Sequence, residues 1–197
     1  LTFNGSLCYD RKGVIFSNPI PHKDVVRFIQ NAAALGRPVC VSTRDRLAAN
    51  GADTDLTDYF FIANEPVPVA DDFDAVCAED IYQLMLGCRP KDYPALLDGA
   101  PGAKIAAWWD RALDIIPTAG GKGTGIAHVL AAYGIDKADA MAFGDGNNDL
   151  EMFGAVGTGV AMANGSDALK AAATDICGAC AEDGIYHYCV EHGDRKS

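Results

Sequence analysis

The stretch Phe143-Gly144-Asp145-Gly146-Asn147-Asn148-Asp149 places two carboxylates four residues apart, where an apolar run ends and a helix begins. Hard oxygen donors in that position suit Mg²⁺. The same residues also make an ordinary turn rich in Gly and Asn, in which Asp149 merely caps a helix, and both readings stay open at this point. An EF-hand loop starting at Asp145 fails, because its sixth position is Leu150 instead of Gly and its twelfth is Val156 instead of Glu. A second candidate lies upstream in Gly120-Gly121-Lys122-Gly123-Thr124-Gly125. Lys122 there opens a helix, where backbone N–H groups and the helix dipole favour an anion; a solvated surface lysine is the plainer alternative. It is not a P-loop, since Ile116 stands where the first Gly is needed and Gly123 where Ser or Thr should follow the Lys. Gly157-Thr158-Gly159 makes no dinucleotide fingerprint, because the third glycine position falls on Met162.

Cys177-Gly178-Ala179-Cys180, followed by His187, Cys189 and His192, invites a zinc or redox reading. The gap from Cys180 to His187 is six residues where zinc fingers use about twelve. The competing reading buries Cys177 on a last core strand and leaves the others in a C-terminal turn and helix.

The elements that must position these residues follow from periodicity. Lys122 to Tyr133 carries Ile126, Val129 and Leu130 at helical spacing and stops at Gly134. Residues 140–143 read as a short buried strand, 144–148 as a loop, 149–155 as a helix, and 159–162 as a strand. Asn164-Gly165-Ser166 caps a helix through residue 173, and 175–177 begins another strand. This alternation predicts a parallel α/β layer. Earlier residues read as an α+β module: strands at 14–16, 38–42 and 80–86, a helix over 22–35 ended by Gly36, and a closing pair at 103–109 and 112–116. The Ile116-Pro117 junction marks the clearer boundary. In Trp108-Trp109, strand spacing points one ring to each face, so at most one lines a substrate.

The composition fits a soluble globular protein: 197 residues, 49% hydrophobic and 22% charged, with 27 Asp and Glu against 16 Lys and Arg for a net charge of -11. Collagen, coiled coil and wholesale disorder are excluded. An acidic chain without a Lys/Arg stripe disfavours nucleic acid and anionic membrane surfaces as partners. No apolar run approaches the roughly 18 residues of a membrane helix, and no basic region leads into a signal-like apolar stretch, so a cytoplasmic location is expected. Seven cysteines, an odd number scattered through apolar segments, suit buried thiols in a reducing compartment. The glycosylation-like Asn4-Gly5-Ser6 and Asn164-Gly165-Ser166 then read as turns and caps. Nothing in the sequence gives the oligomeric state.

Lys122 and the Gly-Asp-x-x-Asn-Asp loop that follows it resemble the third and fourth motifs of the haloacid dehalogenase-like superfamily. Asn4-Gly5, Asp114-Ile115-Ile116-Pro117, Lys122-Gly123-Thr124, Gly159-Val160-Ala161-Met162-Ala163-Asn164 and Glu182-Asp183-Gly184-Ile185 are similar to its Cof-type sugar-phosphatase branch. The resemblance implies an α/β fold, with a Rossmann-like parallel-sheet core, partial in this chain, and an inserted α+β cap of type IIB. It assigns residues 1–9 to a core strand, 10–116 to the cap and 117–197 to the C-terminal half of the core. It further implies a Mg²⁺-dependent phosphatase that hydrolyses small phosphorylated metabolites, sugar phosphates among them, through an aspartyl-phosphate. Lys122, Asp145 and Asp149 take the catalytic roles, Lys122 and Asn148 bind the phosphorylated substrate, and Asp145 and Asp149 hold the metal.

The family's nucleophile, general acid/base and phosphate-binding Ser or Thr stand in an Asp-x-Asp-Gly-Thr motif that is expected upstream of Leu1, so the 197-residue chain alone is expected to be inactive. Asp53-Thr54-Asp55 and Asp72-Phe73-Asp74 share the spacing of that motif but follow no buried strand, and read as solvated cap loops. A noncatalytic metal- or metabolite-binding protein of the same fold is the alternative, with the Cys-based redox or zinc protein behind it.

Overall fold

The computed structural model describes residues 1–107 and 109–192, which form two compact units, Leu1–Gly121 and the segment from Lys122 onward. Trp108 lies outside the described residues. The segment 1–9, expected as a core strand, holds a 3-10 turn over Phe3–Gly5 and most of β1 (Leu7–Asp10). The β1 strand pairs antiparallel with β2 (Gly13–Ser17) as a separate hairpin.

In the first unit α1 (His22–Ala34) buries Val25, Phe28 and Ala32, one stripe at helical spacing. It ends where Gly36 N and Arg37 N donate back to Ala33 O and Ala32 O at 2.9 and 2.8 Å. There follow β3 (Cys40–Ser42), β4 (Leu47–Ala49), α2 (Thr54–Phe61), α3 (Phe73–Val76), β5 (Gln83–Gly87), α4 (Tyr93–Leu97), β6 (Ala103–Ala106) and β7 (Ala112–Pro117). The five strands from β3 to β7 form one sheet in the order β4-β3-β5-β7-β6, antiparallel at every junction.

Side-chain alternation splits this sheet's contacts. Leu84, Leu86, Leu113 and Ile115 meet the α1 stripe in the larger core, while Met85 and Cys40 meet Leu56 and Phe60 of α2 on the opposite face. All five β5 residues are buried, which is why Gln83–Gly87 reads as a nearly continuous apolar run.

The Asp53-Thr54-Asp55 segment, expected as a solvated loop, instead starts α2. Asp53 Oδ1 accepts from Leu56 N at 2.8 Å as its N-cap. Asp55 is buried and takes a two-pronged contact from Arg89 (2.9 and 3.0 Å) and a third from Arg37 (2.9 Å). The Arg89 hydrogen bond, with Arg37 adding to it, holds the Asp55 carboxyl below its ordinary value. The folded value lies under the unfolded one, so this stabilisation is complete above the unfolded pKa near about 4 and is lost as pH falls through the folded value. Asp55→Ala takes the carboxylate from Arg89, which keeps only the Arg111 carbonyl, while Arg37 keeps Asp53 at 3.0 Å; we expect it to destabilise the first unit by about 1–3 kcal/mol in urea titrations at neutral pH, less below pH ~3. An unchanged midpoint at neutral pH would remove the network from the stability of α2. Asp72 keeps the more solvated character expected of it, paired with Arg46 at 2.8 Å on the surface.

The second unit begins with α5 (Lys122–Tyr133) and continues through β8 (Met141–Gly144), α6 (Leu150–Gly154), β9 (Thr158–Met162), α7 (Asp167–Ala172), β10 (Asp175–Cys177) and α8 (Gly184–His192). Its strands form a parallel sheet in the order β10-β9-β8, the α/β layer read from the sequence. Phe153 and Leu169 cover one face with Ala142 and Ala161, and Tyr188 of α8 covers Val160, Met162 and Cys177 on the other. Among the described residues no helix is long and apolar enough to cross a membrane.

Candidate active site

The site lies within the second unit, where β8 ends and α5 begins. After Gly144 the chain turns through Asp145 and Gly146 into a 3-10 turn over Asn147–Asp149, which leads into α6. Asp149 points back under this loop. Its Oδ2 accepts from Asp145 N at 3.1 Å and Gly146 N at 3.2 Å, and its Oδ1 accepts from Lys122 Nζ. The Asp149 side chain is only 7% exposed, so its charge is held by donors on both oxygens, while Lys122 is 26% exposed and its ammonium keeps access to solvent.

Two glycines permit this geometry. A Cβ on Gly144 would come within 2.7 Å of Asp149 Cβ, and one on Gly123 within 2.5 Å of Glu151 O. The first lets Asp149 fold against the strand end; the second lets α5 approach α6 closely enough for Lys122 to reach Asp149. Ser166 supports the loop from the far side. Its N–H donates to Asp145 O at 3.0 Å and its hydroxyl to Asn147 Oδ1 at 2.6 Å, while that hydroxyl also caps α7 by accepting from Leu169 N at 3.2 Å. From the sequence Ser166 reads only as a helix cap; the Asn147 contact joins residues 19 apart and has no local signal.

Asp145 differs from Asp149. It is exposed, and among the described residues its carboxylate has no hydrogen-bonding or ion-pair partner. Lys122 and Asp149 cancel, so Asp145 leaves the loop one negative charge, and Asn148 stands half-buried beside it. Mg²⁺ is commonly held by one or two carboxylates together with waters and substrate phosphate oxygens, and the exposed Asp145 carboxylate fits that donor set. Asp149, with both oxygens engaged, fits the role of orienting Lys122. Among the described residues no three His, Cys, Asp or Glu side chains gather to hold a metal ion. At the C-terminal cysteines, Cys177 is buried with its Sγ 3.4 Å from Met162 Sδ, and Cys180 and Cys189 are exposed.

A family model for haloacid dehalogenase-like hydrolases matches residues 1–189. The chain belongs to this family. "Putative phosphatase YkrA" of Bacillus subtilis is 32% identical over 197 residues, covering all of this chain and 76% of YkrA. YitU of the same organism, a 5-amino-6-(5-phospho-D-ribitylamino)uracil phosphatase, is 30% identical over 71% of this chain and 54% of its own length. Among solved structures, the subclass IIB sugar phosphatase BT4131 superposes with a TM-score of 0.84 over 96% of this chain and 74% of its own, at 24% identity, which is a likeness of fold. These relatives support a phosphatase hydrolase and agree with the Cof-type resemblance. In this haloacid dehalogenase-like chain the loop and lysine read from the sequence come together: Lys122 and Asp149 directly, Asp145 and Asn148 within the same turn.

Proposed function

We propose that the protein is a Mg²⁺-dependent phosphatase of small phosphorylated metabolites, sugar phosphates among them, working through an aspartyl-phosphate. The observation that carries this reading is the pairing of Lys122 with the buried Asp149 beside Asp145, whose exposed carboxylate has no partner among the described residues, in a chain matched by the family model over residues 1–189. The match to YkrA, a putative phosphatase, takes in the whole of this chain and 76% of YkrA.

In this mechanism a carboxylate oxygen attacks phosphorus, the ester P–O bond breaks and the alcohol leaves with a proton. Water then attacks phosphorus, releasing inorganic phosphate and regenerating the carboxylate. Mg²⁺ held through Asp145 would offset charge on the phosphoryl oxygens. The Lys122 ammonium, fixed by Asp149, lies ready to neutralise the nucleophile and the incoming phosphate without having to be oriented at the moment of reaction. Asn148 supplies a neutral hydrogen bond to a phosphoryl oxygen.

The test uses the purified protein as its gene encodes it. Phosphate release from a panel of sugar, polyol and aryl phosphomonoesters should depend on added Mg²⁺ and stop with EDTA, and brief acid quenching should trap a phosphorylated aspartate detectable by mass. No phosphate release from any of them would overturn the reading.

A further inference from the structure

The loop that carries Asp145 is gripped from two sides, and one of those grips joins it to a helix that takes no part in the proposed chemistry. Asp145 N donates to Asp149 Oδ2 at 3.1 Å, and Asp145 O accepts from Ser166 N at 3.0 Å. Both backbone groups of this residue are therefore engaged, and what it has left to offer is its exposed side chain. Gly165 N closes the turn before α7 by donating to Met162 O at 2.8 Å, which brings Ser166 to the loop.

Two residues on, the grip repeats through side chains. Ser166 Oγ lies 2.6 Å from Asn147 Oδ1 and 3.2 Å from Leu169 N. A carboxamide oxygen only accepts and an N–H only donates, so the single hydroxyl proton goes to Asn147 and a lone pair of the same oxygen takes the Leu169 N–H. That oxygen is thus both the cap of α7 and the base of a clasp on the loop. The helix it caps is itself fixed. Leu169 is fully buried with Ala142 of β8 and Ala161 of β9, so α7 is seated on the strand from which the loop departs. Asn147 is exposed, so the hydrogen bond, not burial, is what holds its side chain. From core to loop the connection runs through Leu169, its N–H, the Ser166 hydroxyl and the Asn147 carboxamide, every member within the second unit.

A ligand on a loop that must first be ordered binds its ion less tightly than the same ligand held in place, because ordering costs part of the binding free energy. We propose that Ser166 and Asn147 are positioning residues for the metal: their hydrogen bond keeps residues 145–147 on one course, fixes the direction of the Asp145 carboxylate and so sets the affinity for Mg²⁺. The inference rests on the Mg²⁺-dependent reading of this loop and adds α7 to the elements that serve it. Neither residue touches the ion; both act through Asp145.

The test titrates Mg²⁺ calorimetrically, without substrate, into the purified wild type, Ser166→Ala, Asn147→Ala and the double variant. Each single variant should weaken Mg²⁺ binding about three- to tenfold, the span of one hydrogen bond's net contribution. The double variant should bind within about twofold of the weaker single one, since both substitutions remove the same bond. Asn147→Ala leaves the cap of α7 in place, so a serine that only caps its helix predicts a lower melting temperature for Ser166→Ala and an unchanged Mg²⁺ affinity for Asn147→Ala. Unchanged affinity in either single variant, or losses that multiply in the double one, would overturn the clasp. If the wild type takes up no Mg²⁺, the metal reading is what fails, and amide exchange of the metal-free protein then decides the clasp. Exchange at Asp145 and Gly146, whose N–H groups donate to Asp149, should quicken about three- to tenfold in Asn147→Ala; no change there would overturn it.

Discussion

Asp145→Asn in the enzyme as its gene encodes it should lower turnover by orders of magnitude and shift the Mg²⁺ dependence to far higher concentration. The expectation follows from the exposure of this carboxylate, which has no hydrogen-bonding or ion-pair partner among the described residues: it can serve as a hard anionic ligand, and the substitution makes it a neutral one. The loop itself is held by Asp149, through the N–H groups of Asp145 and Gly146, and by Ser166, through Asp145 O. None of these bonds involves the substituted carboxylate, so the melting temperature of the metal-free protein should stay where it is. Initial rates at graded Mg²⁺ check this. Wild-type kinetics at limiting Mg²⁺ would take Asp145 out of the site.

Lys122→Met should cost about 10²–10³ in kcat on phosphomonoesters, the scale for losing one preorganised donor aimed at developing negative charge. This variant also removes the charged partner from a buried carboxylate, so some stability should go with it. The double variant Lys122→Met/Asp149→Asn separates the two effects. It keeps an oxygen for the Asp145 and Gly146 N–H groups and removes the stranded charge, so its melting temperature should recover while its turnover does not. Should the single variant keep most of its kcat, Lys122 is a structural ion-pair residue and its catalytic role falls.

The second unit was legible from the sequence because its signals are local. The helix over Lys122–Tyr133, the Ser166 cap and the short apolar strands are each set by residues within one turn or one strand, and the observed bounds differ from the expected ones by a residue or two. The pairing of Lys122 with Asp149 was legible only through the family resemblance, since the two stand 27 residues apart and meet because Gly123 and Gly144 lack side chains. The first unit was harder. The β4 strand has three residues, too few for any period to register, and α2 hid behind two aspartates that look solvated in isolation. What buries Asp55 is Arg37 and Arg89, 18 and 34 residues away, and no local pattern announces such a partner. Asn4 is similarly remote from its hydrogen-bond partners, reaching Gln83 and Asp114 across 79 and 110 residues.

The burial of β5 on both faces, with β3 and β7 bonded along its two sides, also sets how the first unit breathes. Its amides have no route to water short of losing a neighbouring strand or a covering helix, so their hydrogen exchange is tied to opening of the whole unit. The outer strand β6 has one neighbour and frays on its own, while β4 is also bridged at Ala49 by the segment from Pro68 to Ala70 and opens less readily. Motion in this unit is therefore graded from the rim inward, and Gln83, at the start of β5, is carried by the part of the sheet that moves last.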